Sequence, residues 1–343
     1  MAKMTAADLS LDVSFEQVKP LSMRQSVHSS LDKIYERFHA ANVNYVDIEC
    51  PFCLGDKSVL AFIATGFYYK RCLGCQSVYH SPRPEENSMD LFYSMSPTTS
   101  DVELPPSVLS KRLNSIMKPR LEILLSKLAK LEVSTPVNRV LEIGAGVGVF
   151  MEALLEAKVG LKYTAVEPTT ECHKVLSRLA GVNLMECQVE DLPYSDDALF
   201  DLIFINSVIE HPFNPEAFMK AAFKQLKPGG YLCLVDMCST GFDIEVLKEA
   251  AQNVNPLLIL QIASVHGMKE LAKRVGFTCV DDFSMGTMDV NIVFDFANSA
   301  PDSHPLKGFG ALLSDQSFRQ DLQKLLGDFK KTGYMAYVLT KEL

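Results

Sequence analysis

The segment Val140-Leu-Glu-Ile-Gly-Ala-Gly-Val-Gly148 constrains this chain more than any other. An apolar run meets glycines at 144, 146 and 148, and helical periodicity resumes at once over residues 149–157. The pattern predicts a short buried strand that turns sharply into a helix. Glycine reaches positive φ without a steric penalty and leaves the backbone bare. A ligand can therefore lie against such a turn, with the first amides of the helix pointing at it. The same strand–helix alternation continues downstream. Strands are expected at 163–166, 183–187, 199–206, 231–235, 277–281 and 334–341, and helices at 172–180, 215–226, 268–275 and 318–329. This alternation predicts an α/β domain around a mostly parallel sheet, with helices on both faces.

A second pattern lies upstream. Cys50-Pro-Phe-Cys53 and Cys72-Leu-Gly-Cys75 are separated by 18 residues, a spacing that matches a zinc ribbon. Four thiolates on two tight knuckles close a tetrahedron around one structural Zn²⁺ and leave no open position for water. A metal-free ribbon and a redox dithiol are the alternatives. The other five cysteines (172, 187, 233, 238 and 279) sit in apolar segments and read as ordinary buried thiols.

Composition removes several classes. The 343 residues are enough for about two domains. With 33 Lys plus Arg against 42 Asp plus Glu, the formal charge is −9, which does not steer the chain toward nucleic acid or anionic lipid. No apolar run approaches the ~20 residues a membrane span needs, and residues 1–10 lack the apolar core of a secretory signal. A cytoplasmic location is expected. The organisation expected is an arm and helix over 1–45, the zinc ribbon over 46–85, a linker and helical lid over 86–134, and the α/β domain over 135–343. Within the third segment, residues 94–107 are rich in Pro and Ser, and the helix at 108–131 is expected to be interrupted or kinked at Pro119.

The ligand of the glycine turn is narrowed by its neighbours. A dinucleotide fingerprint wants Gly or Ala at the third position, here Val149. Glu142, just before the turn, would repel a pyrophosphate but suits a cationic sulfonium. Residues 140–150 resemble the first motif of class I S-adenosylmethionine-dependent methyltransferases, and further segments follow in the family's order. Ala165-Val-Glu-Pro168 resembles the end of the second strand, where an acid, here Glu167, takes the ribose hydroxyls. Residues 190–194 with Phe200-Asp201 resemble the approach to the fourth strand; Gln188 stands where the family often has an Asp near the adenine amino group. Asn206-Ser-Val-Ile-Glu-His211 resembles the end of the fourth strand beside the transferred methyl, and Leu226-Lys-Pro-Gly-Gly230 the turn before the fifth.

The resemblance covers residues 137–281 and implies a Rossmann-like, seven-stranded sheet. It implies a cofactor set of Glu142, Gly144, Gly146, Gly148, Glu167, Gln188 and Asn206. His211 is the candidate general base, with Glu210 orienting it or binding the acceptor; Tyr194, His80 and His266 are lesser candidates. Residues 78–84 resemble the zinc ribbons of class I methyltransferases that include sugar C-methyltransferases, and residues 286–293 resemble a later segment of such enzymes. This implies a small-molecule acceptor, a sugar nucleotide or related metabolite, over a pocket built from residues 86–134 and 241–265. Two other functions compete. An RNA methyltransferase would grip RNA through the ribbon, but residues 45–84 carry four basic and three acidic side chains, which is no track for phosphates. A non-catalytic S-adenosylmethionine-binding scaffold would retain the pocket without turnover.

Overall fold

The computed structural model describes residues 21–41, 43–95, 104–131, 137–251 and 254–342. Residues 1–20 of the expected arm and most of the Pro- and Ser-rich stretch, at 96–103, lie outside the described residues. Helix α1 (Leu21–Ala40) leads into the strands of the cysteine region: β1 (Tyr45–Val46), β2 (Ser58–Ala64), β3 (Phe67–Cys72), β4 (Val78–His80) and β5 (Arg83–Pro84). After α2 (Glu86–Met95), the expected kinked helix becomes three pieces: α3 (Pro106–Arg112), a π-turn at Leu113–Met117 and α4 (Lys118–Leu128). Pro119 follows the π-turn directly in a continuous helical backbone, and the widened turn lies where its N–H is missing.

The seven-stranded sheet then forms from β6 (Arg139–Ile143), β7 (Lys162–Val166), β8 (Val182–Met185), β9 (Phe200–Asn206), β10 (Leu226–Met237), β12 (Thr278–Ser284) and β13 (Tyr334–Thr340). Its order is β12-β13-β10-β9-β6-β7-β8, and only β13 runs antiparallel to its neighbours. The central strands are mostly apolar because both faces are covered. Val140, Leu141 and Ile143 of β6 and Leu202 to Ile205 of β9 are all buried. Helix α4 belongs to this packing: Leu121, Leu124 and Leu128 join Val140, Phe150 and Leu154 in one cluster. The expected turn at 227–230 is a break in register within one strand, since β10 already pairs with β9 at Leu226 before the ladder resumes at Tyr231. Among the described residues, no helix is long and apolar enough to cross a membrane.

The cysteine region is not a separate bead. β11 (Gln261–Ile262), two residues from the far side of the sequence, pairs antiparallel with β4 and completes a four-stranded sheet of order β11-β4-β3-β2. The helix that follows (Val265–Val275) packs beneath it. Arg274 donates to the carbonyls of Phe52 (2.6 Å) and Pro51 (3.2 Å), and the Ser77 hydroxyl accepts from the Ser264 amide at 3.0 Å. Gly267 makes this approach possible: a Cβ there would lie 2.2 Å from Ser77 Oγ and 3.1 Å from Phe52 Cβ. Gly267→Val should therefore push the two layers apart. The expected cost is about 1–3 kcal/mol, the scale of overpacking in a filled core, read as a lower midpoint in chemical denaturation. An unchanged midpoint would contradict the docking described here.

Candidate active site

The three glycines of the β6 turn do three different things. All have positive φ: +73° at Gly144, +54° at Gly146 and +84° at Gly148. A Cβ on Gly144 would sit 2.5 Å from Val208 Cγ2, so this glycine admits the loop that follows β9. A Cβ on Gly148 would meet Leu176 at 2.8 Å and Leu179 at 2.9 Å, so this one admits the next helical layer. A Cβ on Gly146 would meet nothing within 4 Å among the described residues, which leaves open space over a bare backbone, a candidate cradle.

Glu167, at the end of β7, is buried and closes one side of the cradle. Its Oε2 accepts from the Gly146 amide at 2.7 Å and its Oε1 from the Thr169 amide at 2.9 Å. Glu142 lies under the turn, 2% exposed, and its Oε2 has no partner. Burial, and then the charge of Glu167, push its carboxyl well above the ordinary range. A cation beside Oε2 would draw it back toward the ionised form. Gln188 is exposed and opens a 3-10 turn (Val189–Asp191) beyond β8. Asn206 ends β9 on the other side of the turn. Open space over a bare backbone, a carboxylate with lone pairs to spare and an orphaned buried oxygen suit S-adenosylmethionine, so these residues fit the ligand the sequence implies.

Beyond Asn206 the edge carries a second group of polar side chains. Ser207 turns the chain at φ +58°, and the amides of Val208 and Ile209 both donate to Asp236 Oδ2 at 3.0 Å. Glu210 is 3% exposed, its Oε2 has no partner, and its Oε1 lies 3.8 Å from His211 Nε2. Burial raises the carboxyls of both Glu210 and Asp236, and the charge of Glu210 raises Asp236 further. The hydrogen bond between the two carboxyls raises Asp236 and works the other way on Glu210, whose charge Arg120 also favours. His211 is half exposed, and its Nδ1 lies 2.8 Å from the Leu258 carbonyl. A carbonyl only accepts, so Nδ1 carries the proton and Nε2 is left with its lone pair.

Sequence reasoning missed Asp236, and it missed two further residues, Arg120 and Tyr334, that complete this group. Arg120, from α4, donates to Asn206 Oδ1 at 2.6 Å, and its guanidinium lies 5.1 Å from the Tyr334 ring centre. Nothing in their local sequence marks them, because Arg120, Asn206, Asp236 and Tyr334 come from four elements far apart in the chain. The lesser candidates lie elsewhere. Tyr194 is exposed and bonded to Asp196, and His266 is exposed on its helix. His80 is fully buried against Tyr69, and burial lowers its pKa to about 3.

The four ribbon cysteines do converge. The Sγ atoms of 50, 53, 72 and 75 all lie within 4.8 Å of one another, with Cys50–Cys75 and Cys53–Cys72 each at 3.5 Å. A zinc ion bonded to four sulfurs at about 2.3 Å needs sulfur separations of about 3.8 Å. The cluster fits such an ion, and four thiolates leave it no vacant position for chemistry.

Residues 113–282 match the protein family described as "Methyltransferase domain". A malonyl-[acyl-carrier protein] O-methyltransferase from Calditerrivibrio nitroreducens is 29% identical over 142 residues, which cover 41% of this chain and 54% of that protein. The chain thus spans about half the length of that relative. A ubiquinone biosynthesis O-methyltransferase from Xanthomonas campestris pv. campestris is 29% identical over 190 residues, 52% of this chain and 75% of that one. Among solved structures, a geranyl diphosphate methyltransferase in complex with S-adenosylmethionine aligns over 70% of this chain and 93% of its own, with 12% identity and a TM-score of 0.48.

Cys72→Ser tests the ribbon. The variant should lose most of its zinc by elemental mass spectrometry and become readily cleaved within residues 50–75, since closed zinc sites contribute directly to folding. Full metal content with unchanged cleavage would refute the assignment.

Proposed function

We propose that the chain is a class I S-adenosylmethionine-dependent methyltransferase, a reading supported by the match of residues 113–282 to a methyltransferase domain, and that it methylates a small molecule by direct in-line transfer. The observation that carries this is the contact of Val208 with Gly144, which brings the open cradle at Gly146 and the Glu210–His211 loop to one edge of the sheet. When bound, S-adenosylmethionine supplies an electrophilic methyl group on a positively charged sulfur. The chain's task is then alignment, with proton removal where the acceptor needs it.

Glu142, Gly144, Gly146, Gly148, Glu167, Gln188 and Asn206 are the residues that would hold this ligand. Glu167 already takes two backbone amides and keeps a lone pair on each oxygen for a pair of hydroxyls. Glu142 offers its unpaired oxygen to a cationic group. His211 Nε2, freed by the hydrogen bond at Nδ1, would take the acceptor's proton. The ribbon would hold one Zn²⁺ through Cys50, Cys53, Cys72 and Cys75 as a structural element.

The acceptor class rests on further support. The curated relatives named above are O-methyltransferases by their names, and the likeness of residues 78–84 and 286–293 to sugar C-methyltransferases favours a sugar nucleotide or related metabolite. The ribbon's near-balanced charge argues against RNA.

Two variants separate binding from chemistry. Glu167→Ala should weaken S-adenosylmethionine binding by about 1.5–3 kcal/mol, the worth of hydrogen bonds to a charged group; equal affinity in calorimetry would reject the assignment. His211→Asn should lower kcat about a hundredfold, the usual scale of general-base catalysis, while ligand affinity stays the same. A turnover number within twofold of wild type, measured as release of S-adenosylhomocysteine, would remove His211 from the chemistry.

A further inference from the structure

Arg120 is the unexplained charge at this edge. Its guanidinium has five N–H donors, and Asn206 Oδ1 is the partner it holds. Among the described residues, no carboxylate comes within ion-pair distance of it. Burial works against its charge, and the electrostatic influence of Tyr334, Asp236 and Glu210 partly restores it. A guanidinium taken from water without an anion is costly, and the cost is recovered when an anion arrives in the same place.

The surroundings say what kind of anion. Tyr334 stands at the start of β13 beneath the guanidinium. Burial pushes its hydroxyl well above the usual range, so it remains a proton donor. Glu210 Oε2, buried and unpartnered, is an acceptor of the same group. An oxygen that gives up its proton here would meet the guanidinium and hydroxyl donors. Asn206, held by Arg120, ends the same strand whose following loop touches Gly144. The donors thus face the edge where transfer is proposed to occur.

We propose that Arg120 and Tyr334 form an oxyanion-binding subsite for the methyl acceptor, and that the acceptor is a molecule with an acidic oxygen, ionised when bound. The oxygen's proton passes to His211 Nε2, and the resulting anion is held by the Arg120 fork and the Tyr334 hydroxyl. Arg120 is then a specificity-determining residue: acceptors lacking an ionisable oxygen leave its charge unpaired and are rejected. This rests on the methyltransferase reading above and narrows its acceptor class.

The test uses 4-nitrophenol, whose phenolate absorbs separately from the phenol, with 4-nitroanisole as the analogue that cannot ionise. The full chain is saturated with S-adenosylhomocysteine, with occupancy of each variant checked by calorimetry. In wild type, bound nitrophenol should ionise at a pH lower than the free probe by about one unit or more, the effect of an adjacent opposite charge. Nitroanisole should fail to compete. Arg120→Gln should return the midpoint to that of the free probe, and Tyr334→Phe should shift it part of the way. If wild type shows no lowered midpoint, or if Arg120→Gln keeps it, the subsite is refuted. Should Arg120→Gln fail to fold, an unshifted midpoint in Tyr334→Phe relative to wild type refutes it as well. Failure of wild type to bind S-adenosylhomocysteine at all would instead overturn the methyltransferase reading, and calorimetry reports that separately.

Discussion

Residues 256–262 are gripped from both sides, and the geometry of the whole edge depends on that grip. From one side, Tyr35 and Tyr69 donate their hydroxyls to the carbonyls of Pro256 and Ile259 at 2.8 and 2.7 Å, and the His80 amide donates to Leu260. From the other, the Leu260 amide donates to the Glu210 carbonyl, the Gln261 side chain donates to the carbonyls of Ile209 and Pro212, and Leu258 accepts from His211. A segment with no motif of its own therefore ties the cysteine ribbon to the loop that carries Glu210 and His211. Buried backbone groups must be paired, so neither side can shift without orphaning the other.

This coupling gives the ribbon a role that a bound metal alone would not explain. A ribbon on a flexible tether could vary in position. Here its sheet includes β11, a strand contributed by the α/β domain, and its cysteine knuckles share one apolar cluster with Met268 and Leu271. A closed zinc site has no part in bond making. Its effect on the active edge passes through packing: the ion would stiffen the knuckles, the knuckles fix β4, and β4 fixes the segment that orients His211.

Much of the fold was legible in the sequence because its signals are local. The glycine turn, the apolar runs of β6 and β9 and the paired cysteines each need only a short window to be read, and the structure places each as a strand, a turn or a cluster. Short helices were less legible. Phe242–Leu247 and Lys307–Leu312 carry few complete turns of periodicity, and such segments are held by tertiary packing more than by propensity. The cofactor side of the site could be proposed from consecutive residues. The acceptor side could not, because Arg120 lies after a π-turn, Asp236 inside a buried strand and Tyr334 at the start of the last strand.

The buried acids show what this arrangement costs. Besides Glu210 and Asp236, the pair Asp243 and Asp289 is wholly enclosed near the same strand ends, with Asp289 accepting from Gln323 at 2.6 Å and from the Gly333 amide. Burial, and then the charge of Asp289, raise Asp243 to about 8. An acid whose folded pKa is raised binds a proton on folding, so the native state is favoured at low pH and loses ground as pH climbs toward that value. Gly333 belongs to this pair as well, because a Cβ there would lie 2.2 Å from Asp243 Oδ1. The turn it forms leads directly into Tyr334. Four acids held away from water are a poor way to gain stability. Their positions make sense as constraints: one pair seats the loop before His211, and the other seats the turn before Tyr334, so that groups from distant elements meet at one edge.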